Sequence, residues 1–133
     1  MARVVLDTNV FVSAVINSEE SRKLLLLLLE KHMVISSSQI IAELADVLSR
    51  DKLSTTNAQV EKFVSVIVKK AIMVKVDSIS KVVLEDPDDD MILGTALTGK
   101  ADYIVTGDEH LLSLKKYEKI EILKVNQIKE ILS

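Results

Sequence analysis

The sequence predicts an α/β fold, namely a three-layer α/β/α sandwich with a central parallel β-sheet. Short aliphatic runs such as RVVL (3–6) and DYIVT (102–106) alternate with longer amphipathic stretches along the whole chain. Strands separated by helices pair in parallel and are covered by helices on both faces. With 133 residues, 48% of them hydrophobic, and no linker-like segment, residues 1–133 are expected to form a single domain.

Each element follows from a local pattern. Strands are predicted at 3–6, 33–36, 72–76, 102–106 and 119–123, and helices at 10–16, 18–32, 36–50, 57–71, 88–100, 107–117 and 126–133. Ser36 stands three residues before Gln39, the spacing of a capping box, and Gly99 is expected to close the fifth helix. Six consecutive leucines (24–29) cover every face of a helix, which favours a homodimer contact beyond the chain's own core.

Composition excludes several classes of protein. The absence of cysteine excludes disulfides, thiol catalysis and Cys-ligated zinc, and the two histidines, His32 and His110, are expected to be surface or loop residues rather than ligands. The N-terminus resembles neither a signal peptide nor a spanning helix, so a cytoplasmic protein without membrane contact is expected. A net charge of −3 argues against binding nucleic acid by bulk charge alone.

Acidic residues are predicted to meet at one edge of the sheet. Ligands of such sheets bind at the carboxyl ends of the strands, and Asp7 and Asp108 follow the first and fourth strands. On the third helix, Glu43 borders the apolar face, whereas Asp46 points to solvent. The apolar face comprises Ile40, Ile41, Leu44, Val47 and Leu48.

The segment 85–90 contains five carboxylates in six positions. On a helical projection, Asp89 falls near the centre of the inward arc, which comprises Ile92, Leu93, Ala96 and Leu97. Asp90 is the alternative third acid, because first-turn residues deviate from an ideal projection. Asp86 and Asp88 suit free N–H groups and the helix dipole.

Four converging carboxylates repel one another unless a cation lies among them. An all-oxygen donor set without cysteine favours Mg²⁺ or Mn²⁺ over zinc or copper. Sites of this kind leave room for phosphate oxygens, so a phosphate ester is the expected substrate.

The motifs VVLDTNVFVSA, SQIIAELADVL, DPDDDMILGTAL and ADYIVTGDEHLL resemble, in order, the signatures of the PIN domain family. The resemblance runs over essentially the whole chain and is strongest to the prokaryotic branch assigned to toxins of toxin–antitoxin systems. It implies that four acids bind metal: Asp7, Glu43, Asp89 and Asp108. The small residues Gly94 and Ala96 fit the family register when Asp89 is the third acid.

The resemblance implies a Mg²⁺- or Mn²⁺-dependent endoribonuclease. Glu43 would bind or orient a second ion or the attacking water, while Thr106 and Asn9, with Thr8 beside them, match polar accessory positions. A small antitoxin whose C-terminal segment presents an Arg to the acid pocket is the implied partner. Basic residues that suit flanking phosphates are Arg50, Lys52, Lys69, Lys70, Lys115 and Lys116.

Three alternatives stay open. A phosphatase of the haloacid dehalogenase type would use Asp7 as nucleophile, but that pattern needs a second Asp where Asn9 stands. A receiver-like Mg²⁺-binding module needs paired acids after the first strand and a Lys after the last-but-one strand, where this chain has Asp108. The third alternative is a PIN fold that binds RNA or a partner without cutting.

Overall fold

The computed structural model describes residues 1–50, 56–76 and 87–132, and for residues 87 and 88 the backbone alone. Its strands are β1 (Arg3–Leu6), β2 (Met33–Ser37), β3 (Ile72–Val74), β4 (Tyr103–Val105), β5 (Lys116–Tyr117) and β6 (Ile120–Leu123). Its helices are α1 (Thr8–Ile16), α2 (Glu19–Lys31), α3 (Ser38–Arg50), α4 (Asn57–Lys70), α5 (Pro87–Thr98), α6 (Glu109–Leu114) and α7 (Val125–Leu132).

The strands form one sheet in the order β3-β2-β1-β4-β6-β5. Five strands are parallel, with registers that include Val5 opposite both Ile35 and Ile104, and β5 is antiparallel to β6. Val4, Val5 and Leu6 are all at most 1% exposed, as expected for a parallel strand covered on both faces. The predicted α/β fold with helices flanking a mostly parallel sheet is confirmed.

The helices pack closely on the central strands. α5 lies across β1, β2 and β4, while α2 and α3 pack on β2 and α1 packs against both α2 and α3. Three leucines of the run in α2 are buried, but Leu26 remains 58% exposed. Within the described ranges, every helix is too short or too polar to traverse a bilayer.

The capping residue of α3 was predicted one position too early. Ser36 is fully buried inside β2, and it is the hydroxyl of Ser37 that accepts the backbone N–H of Ile40 at 3.5 Å. The strand therefore continues one residue beyond the predicted bounds of 33–36, because Ser36 and Ser37 both fit the buried surface of the sheet.

The C-terminal end of α5 also differs from the prediction. Lys100, with φ of 53°, takes the left-handed position that was expected for Gly99. Gly99 is needed for space instead, because a Cβ there would collide with the side chain of Ile35. Leu97, predicted to face inward, is 39% exposed.

The predicted helix at 107–117 is wrong at its C-terminal end. α6 stops at Leu114, and Lys116–Tyr117 forms the edge strand β5. Lys115 and Glu118 both have positive φ, which ends the helix and makes the tight turn into β6. No glycine or asparagine marks either position, so the hairpin had no local signal.

Candidate functional site

The carboxyl ends of β1 and β4 form the centre of the candidate site. The chain leaves β1 toward β2 and β3 on one side of the sheet, then crosses to β4 and β6 on the other. A crevice outside the strands is expected at such a switch point. The two strand ends are tied together, since the backbone N–H of Asp7 donates to the carbonyl of Val105 at 3.0 Å.

Thr106 links the two acids that follow these strands. Its hydroxyl donates to Oδ2 of Asp7 at 2.6 Å and accepts the backbone N–H of Asp108 at 3.0 Å. Thr106 is 1% exposed, so these bonds are shielded from water. Asp7, Thr106 and Asp108 are therefore held as one hydrogen-bonded unit.

Asp7 lies in a costly environment for a negative charge. Burial raises the pKa of this carboxyl above its ordinary value of 3.8, and the nearby charge of Asp108 raises it further. The hydrogen bond from Thr106 opposes that rise by stabilising the carboxylate. A bound cation would offset the same penalty directly.

Asp108 is the N-cap of α6. Its Oδ1 accepts the backbone N–H groups of His110 at 2.7 Å and Leu111 at 3.3 Å. Leu111 is fully buried and fixes the helix against the core. Within the described part of the chain, this arrangement leaves the second carboxylate oxygen, Oδ2, available to a cation.

The first turn of α5 supplies the next acids. Asp89 is 3% exposed and Asp90 is 7% exposed, although carboxylates are seldom buried this deeply. Ligand atoms of Asp89, Asp108 and His110 all lie within 4.8 Å of one another, the one such group found within the described ranges. Of the two candidates for the third acid, Asp89 is therefore the one that approaches Asp108.

The remaining predicted site residues differ in burial. Glu43 is half-buried on α3, Asn9 is exposed in α1, and Thr8 is 2% exposed. Asp46 is exposed, as predicted, and pairs with Arg50 at 3.3 Å.

Neither Asp7 nor Glu43 joins the group formed by Asp89, Asp108 and His110. Asp86 and the side chain of Asp88 lie outside the described residues.

His110 is exposed, as predicted, but its position beside the acids was not foreseen. Its Nδ1 lies 4.0 Å from Oδ2 of Asp89. The available signal was its spacing: a residue two positions after an N-cap stands in the first helical turn, next to the capping carboxylate. The direction of its side chain could not be inferred from that spacing.

A cavity of about 450 Å³ is lined by residues of α1, α2 and α7 and by Thr106 and Gly107, which directly precede Asp108. Thr106 and Asn9 line it, and Lys124, which follows β6, contributes a cation. The basic residues singled out from the sequence lie elsewhere: Arg50 ends α3, Lys69 and Lys70 end α4, and Lys115 and Lys116 follow α6. Lys52 lies outside the described residues.

The donor set suits a divalent cation. Carboxylate oxygens predominate, and burial makes the negative charge of Asp7 costly unless a positive charge lies nearby. Asp7 follows β1, Asp89 lies in α5 and Asp108 follows β4. The fold brings Asp89 to Asp108, and Thr106 links Asp108 to Asp7. The residues present therefore fit an ion such as Mg²⁺ or Mn²⁺.

Comparisons with known proteins identify the family and the fold. Residues 3–110 match the family model of the PIN domain. Among solved structures, the chain is similar to the crystal structure of VapBC2 from Rickettsia felis bound to a DNA fragment from their promoter, with a TM-score of 0.63 and 18% identity. The match covers 92% of this chain and 98% of that chain. No curated protein sequence matches the chain.

Proposed function

We propose that this chain, which belongs to the PIN domain family, is a metal-dependent endoribonuclease that hydrolyses RNA phosphodiester bonds. The observation that carries the proposal is the buried carboxylate of Asp89 beside Asp108, which Thr106 joins to Asp7. Such an arrangement of acids at a switch point suits a cation that faces a phosphate.

Each acid has a proposed role. Asp7, Asp89 and Asp108 hold a Mg²⁺ or Mn²⁺ ion, and Glu43 binds a second ion or orients the attacking water. When bound, a divalent ion supplies positive charge at the scissile phosphate and lowers the pKa of the attacking water. Asp90 is the alternative third ligand.

The polar neighbours position these acids. Thr106 donates to Asp7 and keeps that carboxylate at a fixed distance from the amide of Asp108. Thr8 and Asn9 begin α1 directly after Asp7. Thr8 is buried beside the acid, while Asn9 is exposed where it can contact substrate.

RNA is the proposed substrate, and the cavity beside Thr106 is its proposed route to the acids. That cavity is lined by Lys124 and Glu20 together with the polar side chains of Asn9, Ser13 and Asn126. A chain of net charge −3 can bind a polyanion here because the bound metal would supply positive charge at the acids, and Lys124 balances the charge of Glu20 along the route.

A cytoplasmic toxin of a toxin–antitoxin pair is the proposed cellular setting. The likeness of fold to VapBC2, a pair solved together on promoter DNA, supports a search for an antitoxin partner. We propose that the antitoxin covers the acid pocket, and that the chain itself forms a homodimer through the exposed part of the leucine run. Isolation of the native protein without any bound partner would count against the antitoxin.

Two alternatives have less support. Receiver modules use the strand order 2-1-3-4-5, whereas this sheet runs β3-β2-β1-β4-β6-β5. A dehalogenase-type phosphatase needs an acid at position 9, where an exposed asparagine stands. The third alternative, a PIN domain that binds RNA without cutting it, is tested by the cleavage experiment below.

The deciding experiment is cleavage of a mixed single-stranded and structured RNA pool with Mg²⁺, Mn²⁺ or EDTA. Cleavage should need metal and should be lost in Asp7→Asn and Asp89→Asn. Asp46→Asn is the matched control, since this acid is exposed on α3 and pairs with Arg50. Loss in Asp90→Asn with activity kept in Asp89→Asn would move the third ligand by one residue. No cleavage under any condition, with metal still raising the melting temperature, would leave a binding module.

A further inference from the structure

We infer that His110 is a nitrogen ligand of the metal site, so that the site selects Mn²⁺ over Mg²⁺. This inference rests on the proposed function, because it presupposes that Asp89 and Asp108 hold a divalent ion. It goes beyond the proposed set of acids by adding a donor of different chemistry and by choosing between the two ions.

The distance between His110 and Asp89 suits a shared ion better than a direct contact. Nδ1 of His110 lies 4.0 Å from Oδ2 of Asp89. A direct N–H···O hydrogen bond needs roughly 2.7–3.2 Å. Two donors on one octahedral ion, with bonds of about 2.1 Å, are separated by roughly 3 Å when adjacent and roughly 4 Å when opposite. The observed separation therefore needs little movement before both atoms can contact one cation.

The backbone holds His110 at this position. Asp108 caps α6 through its Oδ1, and one of the two N–H groups that it accepts belongs to His110 itself, at 2.7 Å. The carboxylate of Asp108 and the imidazole of His110 consequently come from the same helical turn. Their ligand atoms lie within 4.8 Å of each other and of Asp89.

Exposure fits a ligand at the rim of the site. The side chain of Asp89 is 4% exposed and that of His110 is 66% exposed. The buried carboxylate would hold the inner side of the ion, while the imidazole would cover it from the solvent side.

The chemistry of the donor atoms determines which of the two ions, Mn²⁺ or Mg²⁺, the site binds more tightly. Mg²⁺ keeps oxygen ligands and its own waters, whereas first-row transition metals accept imidazole nitrogen readily. Mn²⁺ combines that tolerance with a preference for carboxylates. A site with three or more carboxylates and one imidazole should therefore favour Mn²⁺ over Mg²⁺, and should lose about tenfold in Mn²⁺ affinity without the imidazole, with little change for Mg²⁺.

The chain offers a matched control, because it contains only two histidines. His32 lies at the opposite edge of the sheet, where its Nδ1 accepts the backbone N–H of Ala2 at 3.0 Å. His32→Gln changes the same residue type away from the acids, and glutamine can still accept that hydrogen bond.

The test is pulsed electron paramagnetic resonance of the full chain loaded with MnCl₂, without RNA. Wild type and His32→Gln should show coupling of Mn²⁺ to a directly bound nitrogen, and the signal should change when histidine alone is labelled with ¹⁵N. His110→Gln should lose that coupling while keeping its melting temperature in EDTA. Titration with MnCl₂ and MgCl₂, followed by the melting temperature, should show the tenfold selective loss.

The outcomes separate the role of His110 from the existence of the metal site. Bound Mn²⁺ without histidine coupling in the wild type would overturn the role of His110 and leave the carboxylate site intact. Retention of the coupling in His110→Gln would overturn it equally. Failure of the wild type to bind Mn²⁺ at all would overturn the metal site itself, and with it the proposed nuclease.

Discussion

At the scale of single residues, Thr106 is the side chain that fixes the spacing of the acids. It donates to Asp7 and accepts from the amide of Asp108, and Thr106 itself is buried. We expect Thr106→Val, which keeps the shape but removes the hydroxyl, to lower metal affinity and cleavage by about 10–100-fold. Thr106→Ser retains the hydroxyl and should stay within a few-fold of wild type. Equal losses in both variants would show that packing, and not the hydrogen bond, is responsible.

The raised pKa of Asp7 makes the metal-free protein sensitive to pH. Because the folded chain binds this proton more tightly than the unfolded chain, the free energy of unfolding should fall as pH rises from 3.8 through the raised pKa. Asp7→Asn carries no charge, so in EDTA at pH 7 it should melt above wild type, and the difference should shrink toward acid pH. Thermal melts across this range test the expectation, and a variant less stable than wild type at pH 7 would contradict it.

Added metal should reverse the order of the two melting temperatures, so that the wild type melts above Asp7→Asn. If Asp7 is a ligand as proposed, added Mn²⁺ favours its charged form in the wild type, and Asp7→Asn removes that proposed ligand. Wild type should therefore gain melting temperature with metal, while the variant gains little. Asp46→Asn, which alters an exposed acid, should follow wild type in both conditions.

How far the sequence predicts the site depends on the residue. The edge at which Asp7 and Asp108 lie follows from the end-of-strand rule, and the burial of Asp89 follows from a helical projection. The position of His110 beside Asp89 could not be predicted from the sequence. It depends on the rotamer of an exposed side chain and on how closely α6 approaches α5. The roles of all these residues as ligands remain predictions.

At the scale of elements, the long periodic segments are predicted well and the tight connections are not. The five parallel strands have apolar runs long enough to identify, whereas β5 contains two residues and depends on positive φ at Lys115 and Glu118. The end of α5 shows the same limit. Gly99 was expected to serve backbone geometry, yet it provides room for Ile35 across the interface between α5 and β2.

Gly99 gives a stability test at this interface. Gly99→Ala would force a methyl group into Ile35, which is fully buried and has little room to move, so we expect a loss of about 1–3 kcal/mol in the free energy of unfolding. Gly107→Ala, where the surroundings are open, should change stability by less than about 0.5 kcal/mol. Urea unfolding of the two variants measures both values, and equal stabilities would show that Ile35 can yield.

At the scale of the whole molecule, the net charge of −3 means that contact with a polyanion must be local. Lys124 shares a cavity with Thr106, Asn9 and Glu20. We expect Lys124→Gln, introduced into the Asp89→Asn variant, to weaken the binding of a fluorescent RNA. The slope of log affinity against log salt concentration should become shallower by about one unit. Lys119→Gln, on a different cavity with Lys100 and Glu118, should change neither quantity. Equal effects of the two lysines would indicate bulk attraction in place of a defined path.

Association of two copies is the remaining whole-molecule property, and α2 supplies its test. Leu24, Leu25 and Leu28 are buried in the chain's own core, so the predicted dimer contact reduces to the exposed part of the run. Leu26 is 58% exposed and shares an apolar groove of about 380 Å³ with Val66, which is 40% exposed.

A charge placed in this groove should be tolerated by the monomer but not by an apolar interface. We therefore expect light scattering to give twice the monomer mass for the wild type and the monomer mass for Leu26→Glu. Thr98→Glu introduces the same charge at an exposed position of α5 and should remain dimeric. A monomeric wild type at the highest soluble concentration would refute the dimer, and a dimer that survives Leu26→Glu would place the contact away from α2.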